Sequence, residues 1–194
     1  SIHNMAAWMV ATWATERVRR DWAGSLAAGT KLASYCLTEA NAGSDAASIA
    51  TTARLDGDNY VLNGAKAFIS GAGDTDVLVV MARTGEAGAG GISAFAVPSD
   101  TVGVSFGKNE PKMGWNSQAT RTISFENARV PATHLLGAPG EGFAIAMRGL
   151  EGGRINIAAC SLGAAQATLD MTQRYLSERK QFGQVLADFQ ALQF

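Results

Sequence analysis

The chain has few of the residues that metal sites and disulfide frameworks require. It contains two cysteines, Cys36 and Cys160, far apart in sequence, and two histidines, His3 and His134. Neither cysteine belongs to a CxxC motif, so no disulfide framework is indicated. With so few histidine and cysteine ligands, the sequence predicts no metal site. This cysteine usage favours a reducing compartment, either the cytoplasm or, in a eukaryote, the mitochondrial matrix.

The chain also lacks a strong charge of either sign and a long apolar run. The formal net charge is -1 over 194 residues, which gives no indication of a nucleic-acid or anionic-membrane partner. No apolar run reaches the roughly 20 residues that a membrane-spanning helix needs. The first 20 residues are apolar first and basic later, the reverse of a secretory leader. We therefore expect neither nucleic acid nor a membrane as a partner.

Three stretches of different character follow one another along the chain. Residues 1–30 show helical spacing of apolar residues, residues 33–130 show short strand-like runs between turns, and the part after Pro131 returns to helical spacing. This order predicts an α+β fold with an antiparallel β-barrel or sandwich between two helical portions. The expected domains are residues 1–30, 31–130 and 131–194.

Turn signals and apolar runs locate the strands. Asp56-Gly57-Asp58 predicts one turn and Asn63-Gly64 a second. Val77–Met81 is continuously apolar, as expected of a strand buried on both faces. The glycine-rich segment 85–91 lies between two expected strands rather than before a helix, so it predicts a hairpin loop and not a dinucleotide-binding turn. The other expected strands are 51–55, 60–62, 67–69, 93–97, 102–106 and 121–125.

The last third of the chain reads as helix. From Ile155 to Leu176, apolar and small residues recur in a heptad-like stripe, and a second helix is expected near Leu186. The chain begins at Ser1 inside a helical pattern and ends at Phe194 without a C-cap glycine. We expect it to be part of a longer chain. A processed chain or a small complete domain is the alternative.

The most informative segment runs from Tyr35 to Asp45. There the end of an expected strand leads into a loop of small and polar residues. Backbone N–H groups and short hydroxyls at close range suit an anionic or strongly polar ligand. From the residues alone, an Asx or Ser/Thr turn without a ligand is an equally good interpretation.

Four segments resemble the acyl-CoA dehydrogenase family. Cys36-Leu-Thr-Glu-x-x-Ala-Gly-Ser-Asp-x-x-Ser48 is similar to the family signature at every defined position. Phe68–Ser70 resembles the family's second flavin segment, Leu150–Arg154 its substrate-contacting helix segment, and Arg179–Gly183 its RKxFG motif. The similarity covers nearly the whole chain. The family fold is a helical domain, a β-barrel domain and a helical bundle, which is the order found above.

Within the family, three segments look most like those of members that act on short branched acyl chains: Ser1–Met5, Trp115–Gln118 and Gly152–Ile157. The small residues Gly152-Gly153 and Ala158-Ala159 could make room for a branched chain, but close helix packing is the favoured alternative. A branched short-chain preference therefore rests on the resemblance alone.

The resemblance implies a flavoprotein oxidoreductase of fatty-acid or branched-chain amino-acid catabolism. Such an enzyme uses FAD to convert an acyl-CoA into the 2,3-enoyl-CoA, with a carboxylate removing the α-proton and the β-hydride going to flavin N5. The implied partners are the acyl-CoA substrate, an electron-transferring flavoprotein and further copies of the chain in a homotetramer, a dimer of dimers. The rivals are a flavin oxidase or hydroxylase that uses oxygen, and a non-catalytic binding domain.

The resemblance also assigns cofactor residues. A threonine hydroxyl both donates and accepts, so Thr38 suits the polar edge of the flavin. Ser70 is expected near N5, and Phe68 on the ring, with barrel core as the alternative for Phe68. Arg179 is expected at the pyrophosphate of a neighbouring subunit's FAD, with a solvated helix-end cation as the alternative. The full implied set is Tyr35, Cys36, Leu37, Thr38, Phe68, Ile69 and Ser70, with Arg179, Gln181, Phe182 and Gln190 acting on the neighbour's FAD.

The implied substrate residues are Ser44, Glu151, Gly152, Gly153 and Arg154. Ser44 and Arg154 are expected on the CoA side, with a loop-capping serine and a helix salt bridge to Glu151 as the alternatives. The family's usual catalytic glutamate lies beyond the position of Phe194. Some relatives place the base immediately before the arginine, where this chain has Gly153. We expect Glu151 to line the pocket without being the base, no catalytic residue in the chain, and no turnover by the chain alone.

Overall fold

The computed structural model describes residues 2–194, so Ser1, the first residue of the resemblance, lies outside the described residues. The chain divides into two compact units, one ending at Gly153 and the other comprising Arg154–Phe194. Helices come first, strands next and helices last, which confirms the expected α–β–α order. The three domain boundaries given above stay predictions.

The N-terminal segment forms two helices rather than one helical stretch. Helix α1 spans Ile2–Trp13 and helix α2 spans Glu16–Ala27. Thr15 is the N-cap of α2, and its hydroxyl accepts a hydrogen bond from the backbone N–H of Val18 at 3.4 Å. The helical character expected for residues 1–30 is confirmed, but the apolar spacing did not indicate where α1 ends and α2 begins, because it does not register a break that a capping threonine introduces.

The first unit contains one eight-stranded sheet. In chain order its strands are β1 Ala33–Cys36, β2 Thr52–Asp56, β3 Asn59–Ser70, β4 Val77–Arg83, β5 Ile92–Pro98, β6 Val104–Phe106, β7 Thr120–Pro131 and β8 Leu135–Leu136. The sheet order is β6-β7-β3-β2-β4-β5-β8, with β1 beside β4. Most neighbours are antiparallel as expected, but β1 runs parallel to β4. A parallel pair needs a long connection, and the chain between these strands supplies one.

Strand β4 is buried on both faces, which confirms the expectation for its apolar run. Val77, Val79 and Met81 face a core that the sheet shares with the helices, whereas Leu78 and Val80 face a second core inside the sheet. The predicted hairpins are also confirmed. Gly57 turns the chain between β2 and β3 with φ +59°, and the glycine-rich segment 85–91 connects the antiparallel strands β4 and β5.

The second predicted turn, Asn63-Gly64, was wrong. These residues lie inside β3, at a register shift opposite β7 that marks a β-bulge. Gly64 has φ +142°, and a Cβ there would lie 2.7 Å from the Cα of Thr51. Asn63 accepts a hydrogen bond from the backbone N–H of Asn127 at 2.9 Å. Close approach of two backbones, rather than a turn, explains this glycine.

Helix α3 spans Gly142–Glu178 and carries the chain from the first unit into the second. The second unit then forms a hairpin, β9 Lys180–Gln181 with β10 Gln184–Val185, and ends with the short helix α4 Gln190–Gln193. The helix expected near Leu186 is a single 3-10 turn, Leu186–Asp188, that precedes α4. Among the described residues, no helix is long and apolar enough to cross a membrane.

Candidate functional site

Strand β1 and the residue that follows it place three predicted cofactor residues in the interior. Tyr35 and Leu37 face the core shared with the helices, and Cys36 faces the core inside the sheet. The Tyr35 hydroxyl donates to the carbonyl of Ala146 at 3.2 Å. Burial raises the pKa of Tyr35 and raises the pKa of Cys36 to about 12. These residues can therefore offer a ligand their backbone but not their side chains.

The loop after β1 is held by a buried lysine that the sequence analysis missed. Lys66 is 1% exposed, and its Nζ donates to the carbonyl of Leu37 at 3.0 Å and to Glu39 Oε1 at 2.7 Å. The Glu39 carboxylate also accepts from the backbone N–H groups of Ala50 at 2.7 Å and Thr51 at 3.0 Å. One ion pair thus closes the loop at both ends.

Burial acts against both charges of this pair. Partial burial raises the pKa of Glu39, but the contact with Lys66 and the hydrogen bonds from Thr51 and Ala50 outweigh it and hold that pKa below its usual value. Burial lowers the pKa of Lys66, and Glu39 offsets this only in part. The desolvation of a buried ammonium can exceed what its partner returns, so this pair is weak evidence of added stability and stronger evidence of fixed geometry.

The second predicted flavin segment lies beside the first. Strand β3 shifts its register against β7 between Lys66 and Ile69, and in this gap the Ala67 N–H donates to the carbonyl of Thr38 at 2.9 Å. Phe68 follows with φ +56° and is 66% exposed. The left-handed conformation is unusual for an aromatic residue, and a ring this exposed is not barrel core, which excludes the alternative for Phe68.

Ser70 ends the same segment with its backbone fixed and its hydroxyl free. Ile69 returns to the core inside the sheet. Ser34 Oγ donates to the Ser70 carbonyl at 2.8 Å and lies 2.8 Å from Thr75 Oγ1. Within residues 2–194, neither the Ser70 hydroxyl nor the Thr38 hydroxyl makes a hydrogen bond. Both are available to a ligand.

These features fit a flat ring system with one polar edge. Phe68 offers an exposed aromatic face, and Thr38 and Ser70 offer hydroxyls that can donate or accept. The Ala67–Thr38 hydrogen bond sets the two segments side by side. A strained residue such as Phe68 persists only where the surrounding structure holds it in place, and such residues cluster at ligand sites. The isoalloxazine of a flavin has the size, flatness and polar edge that such a surface accepts.

Ser44 is exposed in the loop that the ion pair closes. The neighbouring 3-10 turn, Ala46–Ser48, has Asp45 as its N-cap residue, and the Ser48 hydroxyl donates to the Asp45 carbonyl at 2.8 Å. Ser44 is therefore not the cap of that turn, which removes the structural alternative considered for it. Its predicted contact with CoA stays a prediction.

Arg83 joins the Ser44 loop to the glycine-rich hairpin. Its guanidinium donates to the carbonyl groups of Ala47 at 2.8 Å and Ile49 at 3.1 Å. It also donates to the carbonyl groups of Glu86 at 2.8 Å and Gly88 at 3.1 Å. Four carbonyl acceptors on two loops make Arg83 a clamp, and the sequence analysis did not identify it.

The other predicted substrate residues of the first unit lie at an exposed part of α3. Glu151 and Gly152 are exposed and Gly153 is half-buried. A Cβ at Gly149 would lie 3.1 Å from atoms of Met5 and Met9, whereas a Cβ at Gly152 would meet nothing within 4 Å. Close helix packing therefore accounts for Gly149 but not for Gly152.

In the second unit, all the predicted site residues are exposed: Arg154, Arg179, Gln181, Phe182 and Gln190. The hairpin holds the middle three, since the Leu186 N–H donates to the Arg179 carbonyl at 2.8 Å. Phe182 and Gly183 form its two-residue turn with φ +52° and +81°. Phe182 is 94% exposed and contacts Phe189 edge to face at 6.2 Å between ring centroids.

One sequence signal could have located Lys66. Tyr60 and Leu62 are core positions of β3. Because every second residue of a strand faces the same side, Lys66 is expected on the core side as well. A lysine in core register requires a partner, and Glu39 is one of the two acidic residues of the neighbouring signature segment, the other being Asp45. Arg83 had no comparable signal, because its acceptors are all backbone carbonyls.

Comparison with known families gives two matches. The model of the acyl-CoA dehydrogenase middle domain matches residues 34–128, and that of the acyl-CoA dehydrogenase C-terminal domain matches residues 140–194. Together they cover most of the chain, including both predicted flavin segments and the RKxFG-like motif.

Individual relatives agree. Mitochondrial isobutyryl-CoA dehydrogenase of Dictyostelium discoideum is 55% identical over 195 residues, covering 100% of this chain and 47% of the relative. The structure of butyryl-CoA dehydrogenase of Megasphaera elsdenii matches with a TM-score of 0.91 at 40% identity. The match covers 97% of this chain and 50% of the butyryl-CoA dehydrogenase chain. A chain from a study of the electron transferring flavoprotein of Acidaminococcus fermentans has a TM-score of 0.93 at 42% identity, covering 99% and 51%. The chain spans about half the length of these relatives.

Proposed function

Because the chain belongs to the acyl-CoA dehydrogenase family, we propose that it is part of an enzyme that oxidises a short branched acyl-CoA to the 2,3-enoyl-CoA with FAD. The observation that carries the proposal is the pairing of the signature segment with the exposed, strained Phe68 and the free Ser70 hydroxyl. The branched substrate is supported by the 55% identity to isobutyryl-CoA dehydrogenase of Dictyostelium discoideum.

The first unit supplies the ring site in this proposal. Backbone groups of the Tyr35–Leu37 segment and the Thr38 hydroxyl hold the polar edge of the flavin, and the Phe68 ring covers its face. Ile69 contributes backbone only, and Ser70 places its hydroxyl at N5, where it can donate to the oxidised nitrogen and accept from the N–H of the reduced ring. The bound FAD supplies the acceptor for the hydride that leaves the β-carbon of the substrate.

The substrate side of the proposal uses exposed polar groups. Ser44 binds the CoA portion through its free hydroxyl, and Arg154 binds phosphate or carbonyl oxygens through its guanidinium. Glu151, Gly152 and Gly153 line the acyl pocket. None of them removes the α-proton. We place that base in the part of the full-length protein that this chain does not include, since the chain spans about half of its relatives.

Further copies of the chain complete the FAD site. Arg179, Gln181, Phe182 and Gln190 bind the pyrophosphate side of a neighbouring subunit's FAD, which makes the active unit at least a dimer and, by family resemblance, a dimer of dimers. The resemblance of Arg179–Gly183 to the family's RKxFG motif supports this role, and these side chains offer donors and an aromatic ring. An electron-transferring flavoprotein takes the electrons; similarity to the Acidaminococcus fermentans chain supports that partner.

Anaerobic titration of the full-length protein with isobutyryl-CoA tests this function. We expect the flavin absorbance to bleach, and to bleach more completely per equivalent of isobutyryl-CoA than of butyryl-CoA. Bleaching by butyryl-CoA alone would correct the substrate and keep the reaction. No bleaching by any short acyl-CoA would contradict the dehydrogenase assignment. In air, stoichiometric hydrogen peroxide would favour an oxidase instead.

A further inference from the structure

We propose that Lys66 is a positioning residue for the flavin site, whose ammonium group fixes the Tyr35–Thr38 segment against the Phe68–Ser70 segment. This inference rests on the proposed function, because it is the two segments predicted to hold the flavin that Lys66 connects. Its side chain lies in the interior and is not itself a contact residue for the ring.

Three consecutive residues after β1, Leu37, Thr38 and Glu39, accept hydrogen bonds from two consecutive residues of β3, Lys66 and Ala67. The Lys66 ammonium donates to the carbonyl of Leu37 and to the Glu39 carboxylate, at 3.0 and 2.7 Å. Between these two contacts, the Ala67 N–H donates to the carbonyl of Thr38 at 2.9 Å. Two of the three bonds come from a single side chain.

The backbone alone gives this junction little support. Strand β3 leaves the register of β7 between Lys66 and Ile69, so Phe68 lies in a bulge. Its φ of +56° is a conformation that persists only where neighbouring contacts hold it. Lys66 is the last residue of β3 paired in register before the bulge, opposite Ile123, and its side chain anchors the strand at that point.

The same pair reaches the substrate loop. The Glu39 carboxylate accepts from the N–H groups of Ala50 and Thr51, so it ties the far end of the loop that carries Ser44 to the Lys66 anchor. A buried ammonium is costly, and an apolar side chain of similar volume is often neutral or stabilising in such a place. The Lys66 charge is therefore explained by the geometry that it imposes on the two flavin segments and on the loop that carries Ser44.

The test compares matched variants of the full-length protein after removal of its flavin. Lys66→Met removes the ammonium and keeps most of the volume. Lys66→Met with Glu39→Gln also removes the unpaired charge while keeping an acceptor for the loop. Lys112→Met is the control, because the Lys112 ammonium also donates to several oxygens, including Trp115 O and Thr120 Oγ1 at 2.9 Å, but to none in either predicted flavin segment. Each variant is measured by FAD titration, thermal unfolding and amide hydrogen exchange of the unliganded protein.

We expect Lys66→Met to weaken FAD binding by about tenfold or more, as the loss of two charge-assisted hydrogen bonds implies. Exchange of the Ala67 and Thr51 amides should quicken. The double variant should recover most of the melting temperature but not the FAD affinity. Lys112→Met should lower the melting temperature and leave the FAD affinity within about twofold, since its bonds are of the same kind but lie elsewhere.

Two results would overturn the role of Lys66. One is FAD affinity in Lys66→Met that equals that of the wild type, and the other is a double variant that regains FAD affinity together with stability, which would make the pair structural only. If Lys66→Met does not fold, Lys66→Arg serves, because it keeps the charge but moves the donors, and unchanged FAD affinity there counts equally against the role. A wild-type protein that does not bind FAD contradicts the proposed function instead.

Discussion

The two units differ in what an exposed aromatic or apolar residue signifies. Up to Gly153, most apolar side chains fill two cores, so an aromatic residue that is both exposed and at positive φ, as Phe68 is, indicates a ligand; Trp115 shares both features but lies outside the two flavin segments. From Arg154 onward, the apolar stripe of α3 is itself exposed, as at Ile155 and Leu162. There the exposure of Phe182 distinguishes nothing, because most of its neighbours are exposed too. Site residues can thus be argued from geometry in the first unit, whereas in the second they rest on resemblance.

Truncating one leucine in each unit tests this difference most strongly. Leu78→Ala in the core inside the sheet, at 0% exposure, should lower the free energy of unfolding by about 2–5 kcal/mol. Leu162→Ala on α3, at 71% exposure, should change it by no more than about 0.5 kcal/mol in the 194-residue chain. Denaturant titration measures both. Equal losses would show that the α3 stripe is buried and would end the comparison.

Glycine-to-alanine substitutions should have opposite signs in the two units. Gly64→Ala places a Cβ 2.7 Å from the Thr51 Cα at φ +142°, so we expect a loss of about 1–3 kcal/mol. Gly163→Ala lies within α3 with nothing within 4 Å of its Cβ, and should stabilise by about 0.5–1 kcal/mol through helix propensity. Thermal unfolding of the two variants side by side gives the signs. A stable Gly64→Ala variant would mean that the backbones of Gly64 and Thr51 do not approach as closely as described.

Two of the three aromatic residues in left-handed conformation, Phe68 and Phe182, provide a finer test; the third is Trp115. Phe68→Gly and Phe182→Gly should each raise the stability of the flavin-free protein by up to about 1 kcal/mol, because glycine relieves the strain at positive φ. In the full-length protein, both should weaken FAD binding, Phe68 through the same subunit and Phe182 through a neighbour. Dilution below the oligomer's dissociation constant separates the two effects, since only the contribution of Phe182 should vanish. Loss of stability in Phe68→Gly would show that its ring packs against the protein.

The smallest expected effect is on the free energy of unfolding at acid pH. The pKa of Glu39 in the fold lies below its unfolded value of about 4.3, so the unfolded chain binds more protons in that interval. The contribution of Glu39 is therefore fully present above the unfolded pKa and is lost as pH falls through the folded one. Glu39→Gln should therefore make the free energy of unfolding fall less steeply as the pH drops below the ordinary glutamate pKa. Glu178→Gln, exposed in the second unit, is the control, and an equally reduced slope there would argue against the Lys66 pair as the cause.

Sequence patterns predicted the elements that depend on local signals. The run Val77–Met81 indicated a doubly buried strand, and Asp56-Gly57-Asp58 indicated a hairpin, because each signal lies within the element that it describes. The parallel pairing of β1 with β4 and the bulge at Gly64 were not predicted, since both depend on residues distant in sequence. Thr15 broke a helix whose apolar spacing alone showed no break.

The candidate site divides in the same way. Resemblance predicted the two flavin segments, and the structure added how these two segments are joined, through Lys66 and the Thr38 carbonyl. It also showed that Tyr35, Cys36 and Ile69 turn their side chains into the cores, which no motif conveys. Arg83 binds only carbonyl oxygens, so its role could not be predicted from side-chain chemistry.

A crystal structure of the full-length protein with FAD tests the central claim most directly. We predict the isoalloxazine against the Phe68 ring, with Ser70 Oγ within about 3.2 Å of N5 and the Thr38 hydroxyl at the polar edge. The Lys66–Glu39 pair should keep its 2.7 Å contact in that complex. An isoalloxazine bound away from both segments, with Phe68 still exposed to solvent, would contradict the site described for this chain.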